Sequence, residues 1–128
     1  MTTWHEIARD SRKAANEMVE TRFRSCLSRS YYAVYSKVTH DLAAAPGATF
    51  PLGREGPNHP GASGSGGIRR LIETSMPGMS QERRVKLSEL VGELYTLRLY
   101  ADYRPSIDID APDAREAISI MNTVFDAF

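Results

Sequence analysis

The sequence predicts an all-α fold, a bundle of four long amphipathic helices with one additional short helix, in a single domain spanning residues 1–128. Three observations carry this reading. Four segments repeat their apolar residues with the 3.6-residue helical period, and none alternates as a half-buried strand would. Thr3 and Ser80 stand as caps before two of these segments, and Pro105 ends one of them. A chain of 128 residues with 41% apolar composition is also long enough to bury a core of its own.

The first helix opens at Thr3, with Glu6 at capping-box spacing. Trp4, Ile7, Ala8, Ala14, Ala15 and Met18 form its apolar stripe, and it stops near Glu20–Thr21. The second helix runs from about Arg24 to Ala43, with Leu27, Tyr31, Val34, Val38 and Leu42 along one face. The connection is so short that these two helices must be antiparallel neighbours. Residues 44–67 then break the pattern, holding seven of the nine glycines and four of the seven prolines. Structureless stretches of that length are usually functional or disordered, and the composition reads as a mobile surface insertion. Its glycines do not form a P-loop pattern. A short helix is predicted over Ile68–Thr74, ahead of Pro77 and Gly78. Ser80 caps the third long helix, whose apolar face is Val85, Leu87, Leu90, Val91, Leu94 and Ala101. Pro105 disfavours helical geometry at Arg104 and ends that helix. The last helix starts around Pro112, with Asp110 and Asp113 at its positive end. It buries Ala117, Ile118, Met121, Val124, Phe125 and Phe128.

Formal charge sums to zero but is unevenly spread. Residues 1–37 hold seven bases against four acids, and residues 105–128 one base against five acids. That distribution argues against a uniformly basic nucleic-acid binder and leaves room for a local basic surface. No apolar run approaches the length of a membrane span, and the first residues do not read as a signal peptide. The single cysteine, Cys26, lies within a helical pattern and reads as a small packed residue. It forms no intrachain disulfide and suits a cytoplasmic setting.

Two stretches carry a family resemblance. "RFRSCLSRSYYAVYSKVTHDL", Arg22 to Leu42, is a basic and aromatic opening followed by a run of the form S-R-x-Y-Y-A-x-Y. "LRLYADY", Leu97 to Tyr103, has the form R-x-x-A-D-Y. In this order, about 70 residues apart, they resemble the two hallmarks of small prokaryotic HEPN proteins. The resemblance covers nearly the whole chain except the Gly/Pro-rich stretch. It implies an up-and-down bundle that commonly dimerises. Many such proteins are metal-independent endoribonucleases acting as toxins or defence effectors, while others bind nucleotides or serve as noncatalytic partners. A nucleotidyltransferase antitoxin often accompanies the toxin members.

The active family pattern is an arginine, four to six residues, then a histidine. Arg98 matches the arginine, but Tyr103 stands at the shortest histidine spacing, followed by Arg104 and Pro105. Metal-free RNA cleavage needs a base for the 2′-hydroxyl, an acid for the leaving oxygen and positive charge on the phosphate. Arg98 supplies the charge, since a guanidinium stays protonated and grips phosphate bidentately. A tyrosine with an ordinary pKa of about 10 is about one part in a thousand ionised at pH 7, so Tyr103 suits a donor rather than a base. In the catalytic reading Arg98 holds the phosphate, Asp102 orients it and Tyr103 gives a proton. In the plain reading Arg98 and Asp102, four residues apart, form a helix-surface salt bridge.

The other candidates divide similarly. Arg22, Arg24 and Arg29 are phosphate contacts or a solvated basic face. Tyr31 belongs to the core stripe, whereas Tyr32 and Tyr35 either pack against a helix or stack on bases. His5 reads as exposed and His40 as structural or solvated. His59, on the Gly/Pro-rich stretch, is placed to fold over a dimer cleft. The spacing of the three histidines fits no metal site, and no cofactor is expected. The expectation is thus an RNA-directed homodimer that cleaves RNA, with a noncatalytic nucleotide- or RNA-binding module, or the inert partner of a two-protein complex, as the alternative.

Overall fold

The computed structural model describes residues 2–50, 55–61 and 66–128. Positions 51–54 and 62–65 of the Gly/Pro-rich stretch lie outside the described residues. The described residues form five helices: α1 (Trp4–Met18), α2 (Phe23–Ala43), α3 (Ile68–Ser75), α4 (Gln81–Tyr103) and α5 (Ala111–Ala127). Among the described residues there is no named strand, only a single isolated bridge between Asn58 and Gly67.

The helix boundaries follow local chemistry. At α1 the Thr3 hydroxyl accepts the Glu6 N–H at 3.1 Å, and the Glu6 carboxylate accepts the Thr3 N–H at 3.3 Å. Asp110 and Asp113 make the same reciprocal box at α5, at 3.2 and 3.0 Å. Such pairs satisfy amide donors that a helix start leaves open, and their carboxylates lie at its positive end. Ser80 caps α4 by accepting from the Arg83 N–H. At the other end of α4, Arg104 leaves the helical region at φ −123°, the geometry that Pro105 imposes on its predecessor.

Helix α2 is central and packs against all four other helices. Side-chain pairs fix the directions. Arg24 meets Ala101 and Tyr32 meets Arg98, so α2 and α4 run antiparallel. Trp4 lies on Tyr35 and Ala15 on Cys26, so α1 and α2 also run antiparallel. Arg83 at the start of α4 reaches the Ala127 carbonyl at the end of α5. The four long helices therefore alternate up and down.

The predicted α2 stripe is the core: Leu27, Tyr31, Val34, Val38 and Leu42 are all buried. Cys26 is fully buried, and burial pushes its thiol pKa up against a smaller opposing contribution from Ser30. Two expected core residues are exposed instead. Ile7 lies one residue, about 100° of helix turn, away from the buried line Ala8, Ser11 and Ala15. Val85 is two residues, about 200°, from Leu87 and cannot share its face.

Within the described part of the Gly/Pro-rich stretch, residues 46–49, 55 and 61 are exposed, as a surface insertion would be, but residues 56–59 pack inward. Gly56 and Pro57 are buried. The Trp4 indole donates to the Glu55 carbonyl at 3.2 Å, and the Tyr35 hydroxyl donates to the Pro57 carbonyl at 2.7 Å. Asn58 bonds the Gly66 carbonyl through its N–H, and the Ile68 N–H through its carbonyl. Residues 55–59 thus cover an aromatic face that the helices leave open.

Candidate functional site

Arg98 occupies an inward position. Along α4 the buried residues Leu87, Val91, Leu94 and Ala101 recur at helical spacing, and residue 98 falls on the same line. Its side chain is accordingly only 13% exposed. The guanidinium is held on several sides. Nη2 donates to the Tyr32 hydroxyl at 3.0 Å. Nε lies 2.9 Å from Asp102 Oδ2, an ion-pair contact without hydrogen-bond alignment. Cζ lies 5.4 Å from the Tyr32 ring centre and 5.2 Å from that of Tyr103. Burial works against the charge, but Tyr32, Asp102 and Tyr103 outweigh it, and the guanidinium pKa is raised above its ordinary value. The Ser28 hydroxyl donates to Asp102 Oδ2 at 3.2 Å and steadies the carboxylate.

The predicted catalytic trio of Arg98, Asp102 and Tyr103 is therefore one contiguous group, with Tyr32 as a fourth member. Tyr103 is 65% exposed and forms its outer edge. Arg29 is exposed on α2, with Cζ 6.0 Å from the Tyr32 ring centre, so two cations face one phenol ring.

The remaining arginines separate. Arg22 is exposed beside Phe23, Ser25 and Ile109 and makes no hydrogen bond or ring contact with the Arg98 group. Arg24 is committed to the backbone. Its Nη1 donates to the carbonyls of Tyr100, Ala101 and Arg104 at 3.2, 3.0 and 3.3 Å. Its Nη2 donates to those of Pro105 and Ile107. A fork so occupied gathers the end of α4 and the following turn.

His59 packs against tyrosines of its own chain. Its Nδ1 is 2.7 Å from the Tyr31 hydroxyl. Its ring lies 4.7 Å from that of Tyr35, 6.0 Å from Tyr32 and 6.3 Å from Tyr95, nearly parallel to the last. Burial, then the neighbouring Tyr35, Tyr95 and Tyr32, push the Tyr31 pKa well above its ordinary value, with Arg98 opposing. Tyr32 links the two halves, touching Arg98 on one side and the Tyr31–His59 pair on the other.

Two features escaped the sequence reading. Tyr95 joins the cluster from α4, three residues before Arg98 and so on a neighbouring face. The second is the inward position of Arg98, on the buried line of α4 between Leu94 and Ala101, which its contact with Tyr32 fixes. His5 is exposed, as expected, and His40, read as structural or solvated, is exposed too; their rings meet at 5.5 Å. Among the described residues no group of three or more His, Cys, Asp or Glu is disposed to hold a metal ion. Among the described residues no helix is long and apolar enough to cross a membrane.

Chemically, the group offers a fixed cation, phenols able to donate or stack, and a carboxylate that holds the cation in place. Comparison with protein-family models, curated proteins and solved structures gives no match to this chain.

Proposed function

We propose that this chain is an RNA-directed protein of the HEPN type, whose Arg98 face binds the phosphodiester backbone of single-stranded RNA. The observation that carries the reading is Arg98 itself. A helix-end arginine that served only a surface salt bridge would extend into water, whereas this one is 13% exposed and clamped between Tyr32 and Tyr103. A preorganised guanidinium suits bidentate phosphate recognition, and the exposed Tyr103 ring beside it suits base stacking. Arg29 adds a second positive charge at the same ring.

Cleavage is the second reading, favoured by the imidazole beside the cluster. In it, His59 takes the proton of a 2′-hydroxyl, and that oxygen attacks the adjacent phosphorus. The bond to the 5′-oxygen breaks, and Tyr103 protonates the leaving oxygen. The products are a 2′,3′-cyclic phosphate and a 5′-hydroxyl, with Arg98 holding the phosphate and Asp102 orienting Arg98. Both readings belong to a cytoplasmic toxin or defence protein acting as a homodimer, with exposed Tyr100 and Tyr103 at the dimer seam. A nucleotidyltransferase antitoxin fits the same reading, with Tyr103 as the acceptor phenol, and intact-mass measurement of the co-expressed pair tests it.

The deciding experiment is fluorescence anisotropy of labelled single-stranded RNA in chelator, with gel analysis of total RNA in parallel. Wild type should bind, and affinity should fall with salt. Arg98→Ala and the exposed-site variant Tyr103→Ala should each bind at least tenfold more weakly. Equal binding by all three proteins removes the RNA reading, and intact RNA after prolonged incubation removes the cleavage reading.

A further inference from the structure

A second cleft lies toward the far end of α2, between α1, α2 and α5. His40, on its rim, is eight residues from Tyr32, about 12 Å along the helix axis. The cleft is partly enclosed, holds about 440 Å³ and is lined by side chains from all three helices. Small-molecule sites ordinarily measure about 300–1,000 Å³.

Its charge is one-sided. Arg9, Arg12 and Lys37 line it against a single lining carboxylate, Asp41. Lys37 pairs with Asp41 at 2.7 Å. Arg12 is held by Asn122 Oδ1 at 3.0 Å and by Asp126 at 3.3 Å, with its Cζ 4.5 Å over the Phe125 ring. Arg9 has no ion pair with any described residue. One positive charge thus stays uncompensated at a concave wall, where field lines concentrate. The imidazoles of His5 and His40 meet at 5.5 Å and add ring nitrogens at the rim. Ala8 and Phe125 give the cleft an apolar wall.

We propose that this cleft binds a small phosphomonoester. The phosphate sits against Arg9 and the histidine pair, and the organic body lies along Ala8 and Phe125. A phosphate offers several acceptor oxygens to converging N–H donors, which a single carboxylate does not match, and guanidinium geometry favours it. The apolar wall is what a bare inorganic ion would leave unused. The site is independent of the Arg98 cluster and shares no lining residue with it.

Titration calorimetry of the full chain with ribose 5-phosphate, and with ribose as the control, tests the assignment. Saturable binding of the phosphate ester alone is expected. Arg9→Glu and His40→Ala, both at exposed positions, should each weaken it at least tenfold while thermal melting shows an intact fold. Arg98→Ala should leave it unchanged. Absence of saturable binding, equal binding of ribose, indifference to both cleft variants or loss in Arg98→Ala would each overturn the proposal.

Discussion

Replacing Arg24 by alanine tests whether that guanidinium is a structural clasp or a ligand contact. Five carbonyls accept from it: those of Tyr100, Ala101, Arg104, Pro105 and Ile107. Those of Tyr100, Arg104 and Pro105 face solvent and would recover water on truncation. The contacts to Ala101 and Ile107 are partly buried and would not fully do so. A hydrogen bond to a charged donor contributes about 1.5–3 kcal/mol, and two such bonds sharing one guanidinium lie toward the lower figure each. Adding about 0.5 kcal/mol for a cation at a helix C-terminus gives a loss of about 3.5 kcal/mol in Arg24→Ala. For a domain with an ordinary stability of about 5–15 kcal/mol, that is a large fraction. Arg24→Lys keeps the charge but not the fork, and should lose about 2 kcal/mol. Urea unfolding followed by circular dichroism reads both values from the shift in midpoint at constant slope. A loss below about 1 kcal/mol in Arg24→Ala, or a lysine variant as stable as wild type, would refute the clasp.

Two further outcomes follow from the aromatic face. Tyr31 has a raised pKa in the folded chain, so above pH about 10 the unfolded state releases its phenolic proton while the folded state keeps it. The unfolded state then binds fewer protons, and stability falls with rising pH by up to about 1.4 kcal/mol per pH unit; Tyr31→Phe should flatten that slope in urea titrations between pH 9 and about 11, at a cost near 1 kcal/mol at pH 7 from the lost contact with His59. A Cβ at Gly56 would lie 2.8 Å from the Tyr35 hydroxyl, 3.2 Å from Thr39 Cγ2 and 3.3 Å from Trp4. Gly56→Ala should therefore destabilise by about 1–3 kcal/mol in thermal or urea unfolding and increase proteolysis in the 55–61 segment.

The contrast between Val38 and Arg98 shows how far the sequence reaches. Val38 follows from period alone, because an apolar residue on a helical stripe has no competing use for its side chain. Arg98 does not, because a guanidinium is stable either in water or in a pocket that supplies its own partners. Which of the two applies depends on Tyr32, 66 residues away in the chain. The same holds for Arg24, whose five acceptors lie 76 to 83 residues along the chain. It holds for His59 as well, which the sequence placed on a mobile stretch.

By itself the sequence determined the described helices, the caps at Thr3 and Ser80, the central stripe of α2 and the stop at Arg104, since period, capping and proline sterics act within a few residues. It also brought together Arg98, Asp102 and Tyr103, which are neighbours along one helix end. Tertiary structure alone decided that Arg98 points inward onto Tyr32, that Arg24 clasps the end of α4, that His59 enters the tyrosine cluster, and that His5 and His40 share a cationic cleft. Those contacts join residues from separate helices and loops, and only the packing of those elements sets where their side chains meet.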